Sequence, residues 1–134
     1  MRDIIIISFF SLCVIACNNK DNKNREIGHL RVIKGECNIG NIKPDTIING
    51  YFIVQNTSDK VIYYKNYYSG CNCTKLVDKK DSLVSGGVDT IRFLFNSRGL
   101  KEQVIIKDIR VITNSKPEMT KLRIIGNVIS EDSE

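Results

Sequence analysis

Hydrophobic and polar positions alternate with a period of two along most of this chain, in runs of four to ten residues separated by turn residues. That alternation predicts half-buried β-strands, because successive side chains of a strand point to opposite faces. TIINGYFIVQN (residues 46–56) puts Ile48, Phe52 and Val54 on one face with Gly50 between them, and Asn56 opens a turn through NTSDK. In GVDTIRFLFN, Ile91, Phe93 and Phe95 point inward, and Arg92 and Asn96 outward. VIYYKNYY predicts a tyrosine-rich strand. TKLVD and DSLVS predict short edge strands on either side of a turn at Lys79-Lys80, and TKLRIIGNVIS gathers Leu122, Ile124 and Val128 around an interrupting Gly126.

Two stretches are less regular. HLRVIKG and CNIGNI predict a short, broken first strand. In KEQVIIKDIRVITN, Val104 and Ile106 share one parity, whereas Ile109 and Val111 share the other. A bulge at Lys107-Asp108 would bring all four to one face. Pro44 and Pro117 fall between runs, where they break no ladder. Past the N-terminal stretch no segment keeps a 3.6-residue apolar period over three turns, and SRGLKEQ predicts one local turn. About seven strands in about one hundred residues predict an all-β fold, an immunoglobulin-like antiparallel β-sandwich, with a small barrel as the alternative.

The chain opens differently. Residues 4–16 of MRDIIIISFFSLCVIAC carry no charge and are mostly strongly apolar. This stretch falls short of the roughly 20 residues a helix needs to cross a bilayer, and suits the core of a secretory signal. Val14-Ile15-Ala16-Cys17 resembles the lipobox of bacterial lipoproteins. That resemblance implies cleavage before Cys17 and acylation of its sulfur and new amine, and two or more acyl chains anchor stably where one does not. A plain cleaved signal and an uncleaved anchor are the competing readings. The polar stretch NNKDNKNREIGH cannot bury enough apolar surface to fold alone. The expected organisation is a signal peptide over 1–16, the lipidated cysteine and flexible tether over 17–29, the sandwich over 30–130 and an acidic tail over 131–134. The expected address is the cell envelope, lipid-anchored to a bacterial membrane, the outer in preference to the inner.

Composition narrows the function. The 134 residues carry 20 Lys and Arg against 15 Asp and Glu, a formal charge of +5, but no cationic run exceeds two residues. A soluble charged surface accounts for this better than nucleic-acid binding, which is not expected. The single histidine, His29, lies at the edge of the tether. No G-x-S-x-G elbow, phosphate loop or persuasive carboxylate pair accompanies it, so neither an enzyme nor a cofactor is expected.

In their order and spacing, several of these pieces resemble a bacterial family, domain of unknown function 1573, whose members look like immunoglobulin-like sandwiches of the ASH and Hydin type. The resemblance runs from about Gly40 to Gly126. It is carried by Ile39-Gly40-Asn41-Ile42 for the family's fGxI, Phe52 through Asn56 for FxxxN, and Gly70-Cys71-Asn72-Cys73-Thr74 for SCGCT. Further along, Ser85-Gly86 stands for a Pro-Gly turn before Phe93 to Asn96. Gly99, then Ile109 through Asn114, precede Leu122, Ile124 and Gly126 of L-x-I-x-G. Gly70, Asn72 and Ser85 depart from the family pattern. The resemblance implies architecture and no established reaction.

With Cys13 removed in the signal and Cys17 committed to lipid, Cys37, Cys71 and Cys73 are left in an oxidising compartment. Cys37 reads as a small buried hydrophobe. For Cys71 and Cys73 three readings stay open: a disulfide across one residue, closing a small and easily reduced ring; pairing of one with Cys37; or a soft metal such as copper or zinc held by two or three thiolates, with His29 as a fourth ligand. The cluster of Tyr63, Tyr64, Tyr67 and Tyr68 divides between sheet packing and an outward binding surface. The main expectation is a membrane-anchored, non-catalytic interaction or structural domain with a protein partner. The alternative is a thiol redox or soft-metal protein.

Overall fold

The computed structural model describes residues 27–130. The expected signal segment, the expected lipidation position Cys17, most of the expected tether and the acidic tail lie outside the described residues. Ten strands follow in order: β1 (Gly28–Lys34), β2 (Glu36–Ile42), β3 (Ile47–Asn56), β4 (Ile62–Ser69), β5 (Thr74–Val77), β6 (Ser82–Leu83), β7 (Val88–Asn96), β8 (Gln103–Thr113), β9 (Ser115–Lys116) and β10 (Met119–Val128). They form two five-stranded sheets, ordered β5-β7-β3-β1-β9 and β2-β10-β8-β4-β6, that face each other across one core.

The alternation read from the sequence is realised in the central strands. Phe52 and Val54 of β3, and Ile91, Phe93 and Phe95 of β7, are buried against Ile62, Ile109, Val111, Leu122 and Ile124 of the facing sheet. Full burial of each large side chain is worth about 1.5–3 kcal/mol. The rings of Phe52 and Phe93 stack with centroids 5.1 Å apart. Gly50 pairs with Phe93, and a Cβ there would collide with the Phe93 ring. β5 and β6 are edge strands as expected, one in each sheet.

Three expectations are corrected. The first run is two strands in different sheets: β1 pairs with β3, and after Gly35 β2 pairs with β10. Splitting that run and adding the two-residue β9 takes the eight runs read from the sequence to ten strands. Two neighbouring pairs, β1–β9 and β2–β10, are parallel, so the sandwich is only mainly antiparallel. The bulge at Lys107-Asp108 is absent: β8 pairs with β10 in unbroken register from Gln103↔Val128 to Ile112↔Met119. Ile105, Ile109, Val111 and Thr113 are the buried residues, all of one parity, and Val104 and Ile106 lie on the outer face. The irregularity is instead in β4, between Tyr64 and Asn66.

The two ends of the sandwich are distinct. Gly28 pairs with Ser115, and Leu30 with Asn56, at one end. Ile47, Asn96 and the cysteine loop lie at the other, where the Asn96 amide donates to the Cys73 carbonyl at 2.8 Å. The ten residues of β3 that run between these ends span roughly 30 Å.

Candidate interaction site

At that second end, β8 outruns one of its neighbours. β10 pairs with residues 103–112 of β8, but β4 pairs only from Ile109 to Thr113. The last bond on the β4 side is from the Gly70 amide to the Asp108 carbonyl, 3.2 Å. Backbone groups of a strand alternate in direction, so the N–H and C=O of Ile106 and Val104 point the same way as those of Asp108. Among the described residues, no strand meets them. Their side chains stand on the outer face, 59% and 69% exposed. A sheet edge of this kind is a template for another strand, and proteins usually cover or blunt it.

The cysteine loop explains why β4 stops. Between Ser69 and Thr74 the chain leaves one sheet and enters the other, where Thr74 opens β5 beside Phe95. Cys71 and Cys73 are joined as a disulfide, with Cα atoms 5.2 Å apart. The Ser69 hydroxyl donates to the Cys71 carbonyl at 3.3 Å, and Thr74, buried at the base of the loop, brings its hydroxyl to 3.6 Å from Cys71 Sγ. A chain folded back on itself over three residues cannot continue along β8.

A cleft of about 250 Å³ forms at the departure point, lined by Tyr68, Ser69, Gly70, Ile106, Asp108 and Arg110, with Lys107. Asp108 is turned toward β10, where it accepts from Arg123 Nε at 2.8 Å and lies 3.7 Å from Lys121 Nζ. The Arg123 hydrogen bond holds the Asp108 carboxyl below the usual range, and Asp108 in turn raises the Arg123 guanidinium. Arg110 sits opposite Lys121 on one side and Tyr68 on the other, and has no acidic partner among the described residues. The cleft therefore carries surplus positive charge.

The other residues singled out in the sequence are dispersed. Cys37 is a buried free thiol on β2, opposite Ile124. Three strand spacings, roughly 14 Å, separate β2 from β4. His29 is exposed on β1 beside Lys116, at the far end. The structure thus joins Cys71 to Cys73 and brings neither Cys37 nor His29 to them, and among the described residues no three His, Cys, Asp or Glu side chains gather as metal ligands. Of the tyrosines, Tyr63 and Tyr68 are exposed, while Tyr64 is buried and Tyr67 half-buried, their rings stacked 5.3 Å apart. The Tyr67 hydroxyl donates to the Lys80 carbonyl at 3.0 Å.

Sequence reasoning missed the open edge and Arg110. The signal was present: apolar residues on both parities of one strand mean either a bulge or an apolar outer face. It also missed Asn56 as a hub. This fully buried side chain donates to the carbonyls of Lys60, Leu83 and Val84 and accepts from the Ser58 amide.

No curated protein matches the chain in sequence. Several solved structures share its fold. A protein of unknown function from Porphyromonas gingivalis W83 aligns with a TM-score of 0.64 at 12% identity, over 76% of this chain and 47% of that one, so this chain spans about half its length. The seventh PapD-like domain of human CEP192, an ASH/PapD-like domain, aligns with a TM-score of 0.59 at 10% identity, over 77% of this chain and 87% of that one. The secreted serine protease VesC from Vibrio cholerae aligns with a TM-score of 0.58 at 11% identity, over 79% of this chain but 24% of that one. At these identities the likeness is one of fold, and the fold is an immunoglobulin-like, ASH/PapD-like sandwich. The family described as protein of unknown function DUF1573 matches over residues 30–128, nearly the whole sandwich, and the chain belongs to that family.

Proposed function

We propose that this protein is a non-catalytic binding module, held at a bacterial envelope membrane by lipid on Cys17, that engages a partner protein. The observation that carries this reading is the placement of the two ends. The chain enters the sandwich at Gly28, and the open edge of β8 lies at the opposite end. A tether at the first end presents the second away from the membrane surface. The outer membrane is the address proposed in preference to the inner.

A non-catalytic role agrees with the side-chain chemistry. The buried carboxylate of Asp89 is committed to Tyr64 and Lys80. The test replaces Cys17 by Ser and follows fatty-acid labelling, membrane fractionation and crosslinking from Val104 in cells. Loss of label, release from the membrane and loss of a Val104 adduct are expected. Retained fatty-acid label in the variant contradicts the anchor.

One observation favours a second reading, a thiol redox protein: the Cys71–Cys73 disulfide lies on a partly exposed loop. Soft-metal handling draws less support, since Cys37 and His29 are elsewhere. Thiol labelling of the exported protein, with serine replacement of the pair, separates these readings. A phenotype intact without the pair removes the second.

A further inference from the structure

We propose that the open stretch of β8, residues 103–107, receives an extended segment of the partner protein as an added strand. That segment carries apolar side chains at alternate positions and a carboxylate that pairs with Arg110. The proposal rests on the reading of the domain as a protein-binding module, and names the class of segment it binds.

Three features converge on this ligand. The backbone groups of Val104 and Ile106 offer donors and acceptors along an edge that spans roughly 17 Å, room for about five residues. The exposed side chains of Val104 and Ile106 stand on one face of that edge, so an incoming strand with small β-branched residues at alternate positions buries them as cross-strand neighbours. Arg110 continues the same face along the cleft. Asp108, which lies between, is already engaged by Arg123 and Lys121, so it does not neutralise Arg110. A carboxylate entering the cleft meets that charge, and a lysine there is repelled by Arg110 and Lys107.

A second copy of this chain is the rival occupant. It is disfavoured because two molecules of formal charge +5 would have to meet edge to edge.

The test uses the full chain in mild detergent and a fluorescein-labelled synthetic peptide that alternates Val and Thr behind a glutamate, with a lysine-headed twin. Anisotropy should show saturable binding of the glutamate peptide, about tenfold tighter than the lysine peptide at low salt and less so at high salt. Arg110→Gln should remove that preference. Ile106→Pro should abolish binding, because its ring replaces an N–H on the open side while the β10 ladder uses Ile105 and Lys107. If that variant fails to fold, amide shift changes in the unaltered chain decide the matter: on titration they should centre on Val104, Ile106 and Gly70. Binding unaffected by Arg110→Gln, shifts confined to another face, or concentration-dependent dimers joined through β8 would each overturn the proposal. If both peptides are rejected while the anchored protein crosslinks a partner from Tyr51 in the opposite sheet, the edge fails and the binding-module reading stands.

Discussion

Asp89 of β7 accepts the hydroxyl of Tyr64 of β4 at 2.8 Å, a hydrogen bond that ties one sheet to the other. Asp89 is only 2% exposed, and Lys80 Nζ stands 2.9 Å from its second oxygen as a charge partner. Burial first, then the bond and the charge of Asp89, raise the Tyr64 phenol well above its ordinary range. Burial and the same charge raise Tyr67. A group whose folded pKa is raised contributes stability that is complete below its unfolded value and is lost as pH climbs past it. The fold should therefore weaken above about pH 10. In an absorbance titration, two of the five phenols should stay protonated until the sheets separate. Tyr64→Phe, which leaves a buried carboxylate oxygen unpaired, should cost about 1.5–3 kcal/mol in urea unfolding. An unchanged midpoint would remove the clamp from the account.

Asn56→Ala should be more costly than its size suggests. The amide of Asn56 holds three carbonyls; Val84 keeps a second donor in the Gly87 amide and Lys60 one in the Ser58 hydroxyl, whereas the buried Leu83 carbonyl loses its side-chain partner. Losing these bonds, with the Ser58 amide and hydroxyl also deprived of their acceptor, should cost about 2 kcal/mol. Thermal unfolding against Asn49→Ala, an exposed strand position, measures the difference.

Replacing Cys71 and Cys73 together by Ser should cost only about 1–2 kcal/mol, since a loop of three residues constrains the unfolded chain little. Equilibrium denaturation with intact-mass analysis checks this. A loss above about 4 kcal/mol would give the pair a larger structural role than chain entropy supplies.

Asp108 makes a pH-dependent contribution of the opposite sense. Its folded carboxyl is depressed by the Arg123 hydrogen bond, so its contribution is present above the unfolded value of about 3.9 and fades as pH falls through the folded one. Asp108→Asn should lower the urea midpoint at neutral pH. The gap from the unaltered protein should close near pH 2–3.

The fold was legible where burial alone sets the pattern. Ile91, Phe93 and Phe95 alternate because one face of β7 meets the core and the other meets water, and the same holds for Leu122 and Ile124. Legibility failed at β8, where Val104 and Ile106 are apolar for a reason other than the core, so parity misplaced them. It also failed for long-range polar links. Nothing near Tyr64 in sequence marks Asp89 as its partner 25 residues on, and Arg110 becomes conspicuous only once Asp108 is seen to face away from it. The cysteine pair was visible as a motif. Its consequence, an end to β4 that uncovers β8, required the sheet order.

The open edge is tested most directly by residue-resolved amide hydrogen exchange on the full chain. The amides of Val104 and Ile106, which face no strand, should exchange close to free-peptide rates. Those of Ile105 and Lys107, bonded toward β10, should be protected by orders of magnitude. Equal protection of all four would mean that the edge of β8 is already covered, and would contradict the account.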